Sequence, residues 1–134
     1  MAVDPVTVLV VDDQEPFRSA ARKVLGLAAG FELVAEAETG EDAVEVAAAT
    51  APALVLMDIN MPGINGIEAT RRILERAPGC IVFLCSTYSL EDLPPDAATS
   101  GAIAYVNKED FGPRVLRRLW DQREGATHGA LLTG

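Results

Sequence analysis

Aromatic side chains are scarce in this chain, with four Phe, two Tyr and one Trp among 134 residues. The apolar content is carried instead by Ala, Val, Leu and Ile, which suits helices packed on a buried parallel sheet. No segment approaches the ~18 consecutive apolar residues of a membrane span. The N-terminus also lacks the basic-then-apolar pattern of a secretory signal. Positive charge is short as well: 11 Lys and Arg stand against 20 Asp and Glu, a formal net charge of −9. Such a surface repels nucleic acid and anionic lipid, so neither DNA nor membrane is an expected partner. Cysteine is limited to Cys80 and Cys85, in one short apolar run. At that spacing on a strand they point to opposite faces and cannot readily bridge, so both read as reduced core residues of a cytoplasmic protein. The single histidine, His128, lies in the small, polar stretch from Gly125 to Gly134 and carries no expected role. No internal repeat is present.

What remains alternates between strand-like and helix-like stretches. Apolar runs at Val6–Val11, Phe31–Ala37, Ala53–Met57, Ile81–Cys85 and Ile103–Val106 read as strands. Between them, Phe17, Ala20, Ala21, Val24, Leu25 and Ala28 recur at helical spacing. Thr39-Gly40-Glu41-Asp42 resembles a capping box with Thr39 as N-cap, opening a helix that presents Ala43, Val44 and Ala47. Ile67, Ile73, Leu74 and Ala77 mark a third helix, stopped by Pro78-Gly79, and Val115, Leu116, Leu119 and Trp120 line a last one. The piece before the fifth strand is the least regular. Pro94-Pro95 fits only the first turn of a helix and Gly101 ends it, so a fourth helix of about two turns is expected there. The strands are continuously apolar rather than alternating, which argues for a doubly wound (βα)5 sheet covered on both faces, of strand order 2-1-3-4-5. Residues 1–124 are expected to form this one domain and 125–134 a disordered tail.

In such a sheet, sites form outside the carboxyl ends of the strands. Strand one runs into Asp12-Asp13, strand three into Asp58, strand four into Ser86-Thr87, and strand five, after Asn107, into Lys108. Strand two ends in Glu36 and Glu38, which the expected order places at the sheet's edge. Taken singly, each has a bland reading: a solvated turn, an N-cap, a surface lysine. Jointly, on four strand ends of one sheet, they converge on one rim. Clustered carboxylates repel one another, and a hard divalent cation relieves this. Mg²⁺ takes oxygen ligands and retains open positions that phosphate oxygens can fill. Lys108 can meet another phosphoryl oxygen, Ser86 offers a hydroxyl, and one carboxylate can act as nucleophile to give an aspartyl-phosphate.

Three stretches resemble the receiver domains of two-component response regulators, both single-domain chemotaxis- and sporulation-type receivers and those of LuxR-type regulators. They are Val8-Leu9-Val10-Val11-Asp12-Asp13, Leu56-Met57-Asp58-Ile59-Asn60-Met61-Pro62-Gly63-Ile64-Asn65-Gly66, and Gly101-Ala102-Ile103-Ala104-Tyr105-Val106-Asn107-Lys108. The similarity runs from about Thr7 to Gln122 and implies a flavodoxin-like fold. It implies that Asp58 accepts phosphate from a histidine kinase or histidine phosphotransfer protein. Asp13, Asp58 and the backbone carbonyl of Asn60 would bind Mg²⁺ directly, with Asp12 reaching it through water. Lys108 and Ser86 would hold the phosphoryl group, and Tyr105 would be a switch aromatic that turns inward after phosphorylation. A signalling role follows rather than an enzyme's, with output to a protein target through the fourth helix, fifth strand and fifth helix, from a monomer or weak homodimer.

The chain departs from that family at three points. Glu109 replaces the usual proline after Lys108, Thr87 replaces a small residue after the switch hydroxyl, and the fourth helix is shortened. Alternation along the strand is expected to turn Ser86 and Thr87 to opposite sides, leaving Thr87 as a partial lid. Rival readings fare worse. An aspartate-nucleophile phosphatase needs a second acid where Asn60 stands, and a flavin site needs a Ser/Thr/Gly-rich loop where Gln14-Glu15-Pro16 follow strand one. Gly66-Ile67-Glu68-Ala69-Thr70-Arg71-Arg72 resembles receivers joined to helix-turn-helix domains, so the receiver half of a transcription factor is the rival within the class.

Overall fold

The computed structural model describes residues 4–125 and 131–134. Its strands are β1 (Val6–Val11), β2 (Phe31–Ala37), β3 (Leu54–Asp58), β4 (Ile81–Ser86), β5 (Ala104–Asn107) and β6 (Leu132–Thr133). Among the described residues they form one sheet of order β2-β1-β3-β4-β5-β6, with every neighbouring pair parallel. The α-helices are α1 (Glu15–Leu27), α2 (Gly40–Thr50), α3 (Gly66–Arg76) and α4 (Pro113–Gln122).

The apolar strands are sorted by their period of two. Val8, Val10, Leu54, Leu56, Phe83, Ala104 and Val106 face one side, where Ala21 and Leu25 of α1 and Leu116 and Leu119 of α4 meet them. Leu9, Val11, Val55, Met57, Val82 and Leu84 face the other, against α2 and α3. Both faces of the central strands are therefore dry. The expected cap holds, with Thr39 Oγ1 accepting the Asp42 N–H at 3.0 Å, and Asn65 caps α3 by accepting the Glu68 N–H at 2.9 Å. Cys80 and Cys85 are unbridged and lie in the two opposite core layers. Burial pushes their thiols up to about 11 and about 12, which keeps both protonated and unreactive at neutral pH.

The expected fourth helix is absent. Two separate 3₁₀ turns, Leu90–Asp92 and Pro95–Ala97, stand in its place, and the helix expected fifth is α4. The reason is local. Pro94 and Pro95 remove two consecutive N–H donors, and the residue before a proline is pushed out of the helical region. Leu93 and Pro94 are accordingly extended, at ψ 138° and 141°. Gly101, at φ 100°, then turns the chain into β5.

The chain end differs from expectation too. Residues 126–130, with His128, lie outside the described residues. Beyond them, Leu132 pairs opposite Ala104 and Thr133 opposite Tyr105, which adds β6 outside β5. Leu132 N–H donates to the Ile103 carbonyl at 2.8 Å and Gly134 N–H to the Tyr105 carbonyl at 3.2 Å. Leu131 packs on one core layer and Leu132 on the other, so these two residues of the expected disordered tail seat the strand.

Two ladder bonds and the Arg118 bond to the Thr133 carbonyl at about 1 kcal/mol each, with two half-buried leucines at about 1 kcal/mol each, outweigh by about 1 kcal/mol the cost of ordering the segment, about 1 kcal/mol per residue. Removing Leu131 to Gly134 is expected to lower the melting temperature by about 3–5 °C, the scale of roughly 1 kcal/mol in a domain of this size. Calorimetry of the full and shortened chains measures this, and an unchanged transition would mean that the strand contributes nothing.

Candidate functional site

The rim above β1, β3, β4 and β5 holds the acidic cluster. Asp12, Asp13 and Asp58 bring carboxylate oxygens within 4.8 Å of one another. Asp12 and Asp58 are 0% and 3% exposed, whereas Asp13 is open to solvent. Lys108 reaches back over the cluster, its Nζ 2.6 Å from Asp12 Oδ2 and 3.2 Å from Asp58 Oδ1, and 4.9 Å from the centre of the Phe17 ring. Asp13, Gln14, Asp58, Asn60, Ser86, Thr87 and Lys108 line a cavity of about 210 Å³ there.

Backbone packing sets Asp58 in place. A β-carbon on Gly66 would lie 2.0 Å from the Asp58 carbonyl oxygen, so α3 can start this close to the strand end only with glycine. Gly66 N–H donates to the Ile59 carbonyl at 2.9 Å, which closes the loop between β3 and α3. Asp12 is held from the other side, its Oδ1 accepting the Gln14 N–H at 2.8 Å and its carbonyl the Arg18 Nη1 at 2.7 Å.

The charges do not balance within the protein. Burial, and then the neighbouring Asp12 charge, push Asp58 up to about 6, against the opposing pull of Lys108 and the Asn60 N–H. Burial works against the Lys108 ammonium, but its contacts with Asp12 and Asp58 outweigh that and raise its pKa. The Lys108 ammonium thus pairs with two of the three clustered carboxylates, Asp12 and Asp58. The buried Asp12 Oδ2 takes no well-directed hydrogen bond, having only the ion pair with Lys108. Oxygen donors of this kind, under-neutralised and around a small polar cavity, fit a hard divalent cation.

The hydroxyl side holds a closed hydrogen-bond ring. Tyr105 Oη lies 2.6 Å from the Tyr88 carbonyl and 2.8 Å from Ser86 Oγ, and the Tyr88 N–H donates to Ser86 Oγ at 3.1 Å. With Tyr105 donating to the carbonyl, the Ser86 hydroxyl donates to Tyr105. Tyr105 lies inward, 3% exposed, with its hydroxyl in this ring. One expectation changes here. Ser86 and Thr87 do not diverge: β4 ends at Ser86, alternation stops with it, and both residues line the cavity.

Sequence reasoning missed two residues. Tyr88 spans the cavity mouth, its hydroxyl donating to Asn60 Oδ1 at 3.1 Å while its carbonyl also accepts Asn107 Nδ2 at 3.1 Å. Arg18 is buried and gathers Glu15, Glu36 and Glu38 at 2.7, 3.4 and 3.0 Å, so the acids ending the edge strand are taken up away from the cluster. Nothing in the local pattern marked Tyr88. Arg18 had a signal, since it falls on the same helical stripe as Ala21 and Leu25.

A family profile described as the response regulator receiver domain matches residues 8–119, and the chain belongs to that family, the signalling receivers of two-component systems. Among its relatives is the transcriptional regulatory protein DegU of Brevibacillus brevis, 38% identical over 104 residues that make up 78% of this chain and 44% of DegU. The chain spans about half the length of the curated relatives it matches. The solved receiver domain of the NarL regulator from Mycobacterium tuberculosis superposes with a TM-score of 0.82 at 26% identity, covering 92% of this chain and 99% of that one. A CheX–CheY–BeF3–Mg complex from Borrelia burgdorferi gives a TM-score of 0.78 at 28% identity, over 88% and 89%. No described helix is long and apolar enough to cross a membrane.

The raised Asp58 carboxyl carries a sign for stability. The group ionises near 3.8 when unfolded and near 6 when folded, so its ionisation costs folding free energy above pH 6. That cost fades as the pH falls from 6 toward 4. With a chelator present, Asp58→Asn is expected to stabilise the fold at pH 7.5 by about 2–3 kcal/mol, with the gain largely gone at pH 4. Urea unfolding at both pH values tests this, and an equal gain at both would show that the carboxyl is not charge-frustrated.

Proposed function

We propose that this receiver is a phosphorylation-driven switch that takes a phosphoryl group on Asp58 from a phosphohistidine of a sensor kinase or phosphotransfer protein. The observation that carries the reading is the buried Asp58 carboxylate facing the cavity with Lys108 Nζ at 3.2 Å. Attack by an Asp58 oxygen on phosphorus forms the new P–O bond as the P–N bond to the donor imidazole breaks. Such transfer needs positioning and charge neutralisation more than covalent chemistry from the protein. Asp13, Asp58 and the Asn60 carbonyl would hold Mg²⁺, with Asp12 reaching it through water, and the ion would supply charge neutralisation for the carboxylates and the phosphoryl oxygens. That a CheY neighbour was solved with BeF3 and Mg is in keeping with this assignment. Lys108, already beside Asp58, is placed to pass from the carboxylate to a phosphoryl oxygen. Ser86 is placed to turn its hydroxyl to another, and Thr87 narrows the approach of donor and water.

The switch then lies in one proton donor. The Ser86 hydroxyl serves Tyr105 in this structure, and a phosphoryl oxygen, an acceptor with more charge, competes for it. Phosphorylation withdraws that bond and shifts the population of Tyr105 and β5. Output goes to a protein target through the side built from the two 3₁₀ turns, β5 and α4, the counterpart of the expected fourth-helix, fifth-strand and fifth-helix face. We place the exchange in the cytoplasm, in keeping with two unbridged thiols.

Acetyl phosphate with Mg²⁺ is expected to add one phosphoryl group to the wild-type chain and none to Asp58→Asn, read by intact mass; full labelling of the variant would overturn the assignment. The same labelling is expected to disappear in excess chelator.

Asp13 is the open member of the cluster and Asp12 the one already paired with Lys108. Asp13→Ala is therefore expected to weaken Mg²⁺ binding at least tenfold, about 1.4 kcal/mol, and Asp12→Ala by less. Calorimetric titration of both variants separates the roles, and equal affinities would reject the division.

A further inference from the structure

The outer edge of β5 is where a parallel sheet of this kind would stop, leaving a row of unpaired N–H and C=O groups ready to pair with any extended segment. Here the chain's own Leu131 to Gly134 lies on that edge. Four features mark this as a fitted surface. The Ile103 and Tyr105 carbonyls accept the Leu132 and Gly134 N–H groups at 2.8 and 3.2 Å. Leu131 and Leu132 drop onto opposite core layers. Arg118 Nη2 of α4 donates to the Thr133 carbonyl at 3.2 Å, outside the ladder. Gly134 fits so closely that a β-carbon would lie 2.4 Å from Val115 Cγ1 and 3.2 Å from Leu119 Cδ1 of α4. The edge thus selects an extended aliphatic pair and, two positions beyond it, a residue without a side chain.

The attachment is small. β6 is two residues long, Leu131 before it and Leu132 within it are half-buried, and Thr133 is exposed. Short strands with few buried contacts open first in a folded protein. One residue also joins the edge to the site. Tyr105 gives its carbonyl to Gly134 and its hydroxyl to the ring with Ser86 and Tyr88, so a change in that ring moves a β6 partner directly.

We propose that the outer edge of β5 is a strand-docking surface whose occupant is the chain's own Leu131–Gly134 segment, a displaceable cover that loosens when Tyr105 loses the Ser86 bond. The coupling rests on the reading of Ser86 as the hydroxyl that meets the phosphoryl group. Beta pairing supplies the affinity, and the two leucines and the glycine supply the selectivity, as in other cases where a strand adds to a sheet edge.

Amide hydrogen exchange by NMR on the full chain tests this. The Leu132 and Gly134 amides are expected to exchange at least tenfold faster than those of Leu56 and Leu84 in the central strands. Tyr105→Phe, which removes the hydroxyl and keeps the ring, is expected to raise exchange at Leu132 and Gly134 a further five- to tenfold while leaving Leu56 and Leu84 unchanged. Gly134→Leu is expected to undock the segment outright, with fast exchange whether or not Tyr105 is intact. Labelling with acetyl phosphate is expected to act in the direction of Tyr105→Phe. Leu132 and Gly134 amides as slow as the central strands, or unmoved by Tyr105→Phe, would overturn the proposal and make β6 an ordinary sixth strand. Labelled protein with unchanged exchange at those amides would overturn the coupling. The Tyr105→Phe and Gly134→Leu arms involve no phosphoryl group, so a chain that fails to label tells against the switch reading alone.

Discussion

Three carboxylates crowd one end of a dry sheet, and a single ammonium answers them. This imbalance organises the rest of the molecule. The rim can hold it because the layers beneath are closely packed aliphatic chains that do not yield, while Gly66 and Arg18 fix the backbone on either side. The charge left over makes the rim a place for a hard cation and for an incoming anion that shares it. A fold with this feature accepts a cost to stability at neutral pH at Asp58, the position proposed to carry the chemistry.

The hydroxyl ring is the complementary device. Ser86, Tyr88 and Tyr105 form a hydrogen-bonded circuit, and Ser86 is its member that lines the acidic cavity. In the proposed switch, a charge arriving in the cavity competes for the Ser86 hydroxyl and so reaches β5 through Tyr105.

Much of this was legible in the sequence, and the boundary is physical. Continuous apolar runs identified both the strands and their double burial, and residues just past strand ends must lie on the rim whatever the loops do; this is why Asp12, Asp13, Asp58 and Lys108 could be placed together. Legibility failed where regular geometry ended. The period of two does not carry beyond Ser86, so the expected divergence of Ser86 and Thr87 fails. Pro94-Pro95 was read as a helix start, although two adjacent prolines deprive a short helix of more bonds than it can spare. Leu131 and Leu132 lie beyond small, polar residues, and no local pattern marks a two-residue strand whose partner is a distant edge. Tyr88 was invisible for the same reason: its contacts are made by a loop. Arg18 could have been found by asking why a charge sits on an apolar stripe.

The contact between Gly66 and the Asp58 carbonyl has a consequence for how such a site can diversify. With no room for even a methyl group between the helix start and the strand end, the spacing of the backbone is a fixed dimension of the scaffold. Altered cation preference or altered lifetime of a bound group must then arise from side chains hung around that frame, at Asn60, Thr87 and Tyr88, which ring the opening and carry none of its load. The architecture separates what is adjustable from what is not, and it draws that line through a single hydrogen atom.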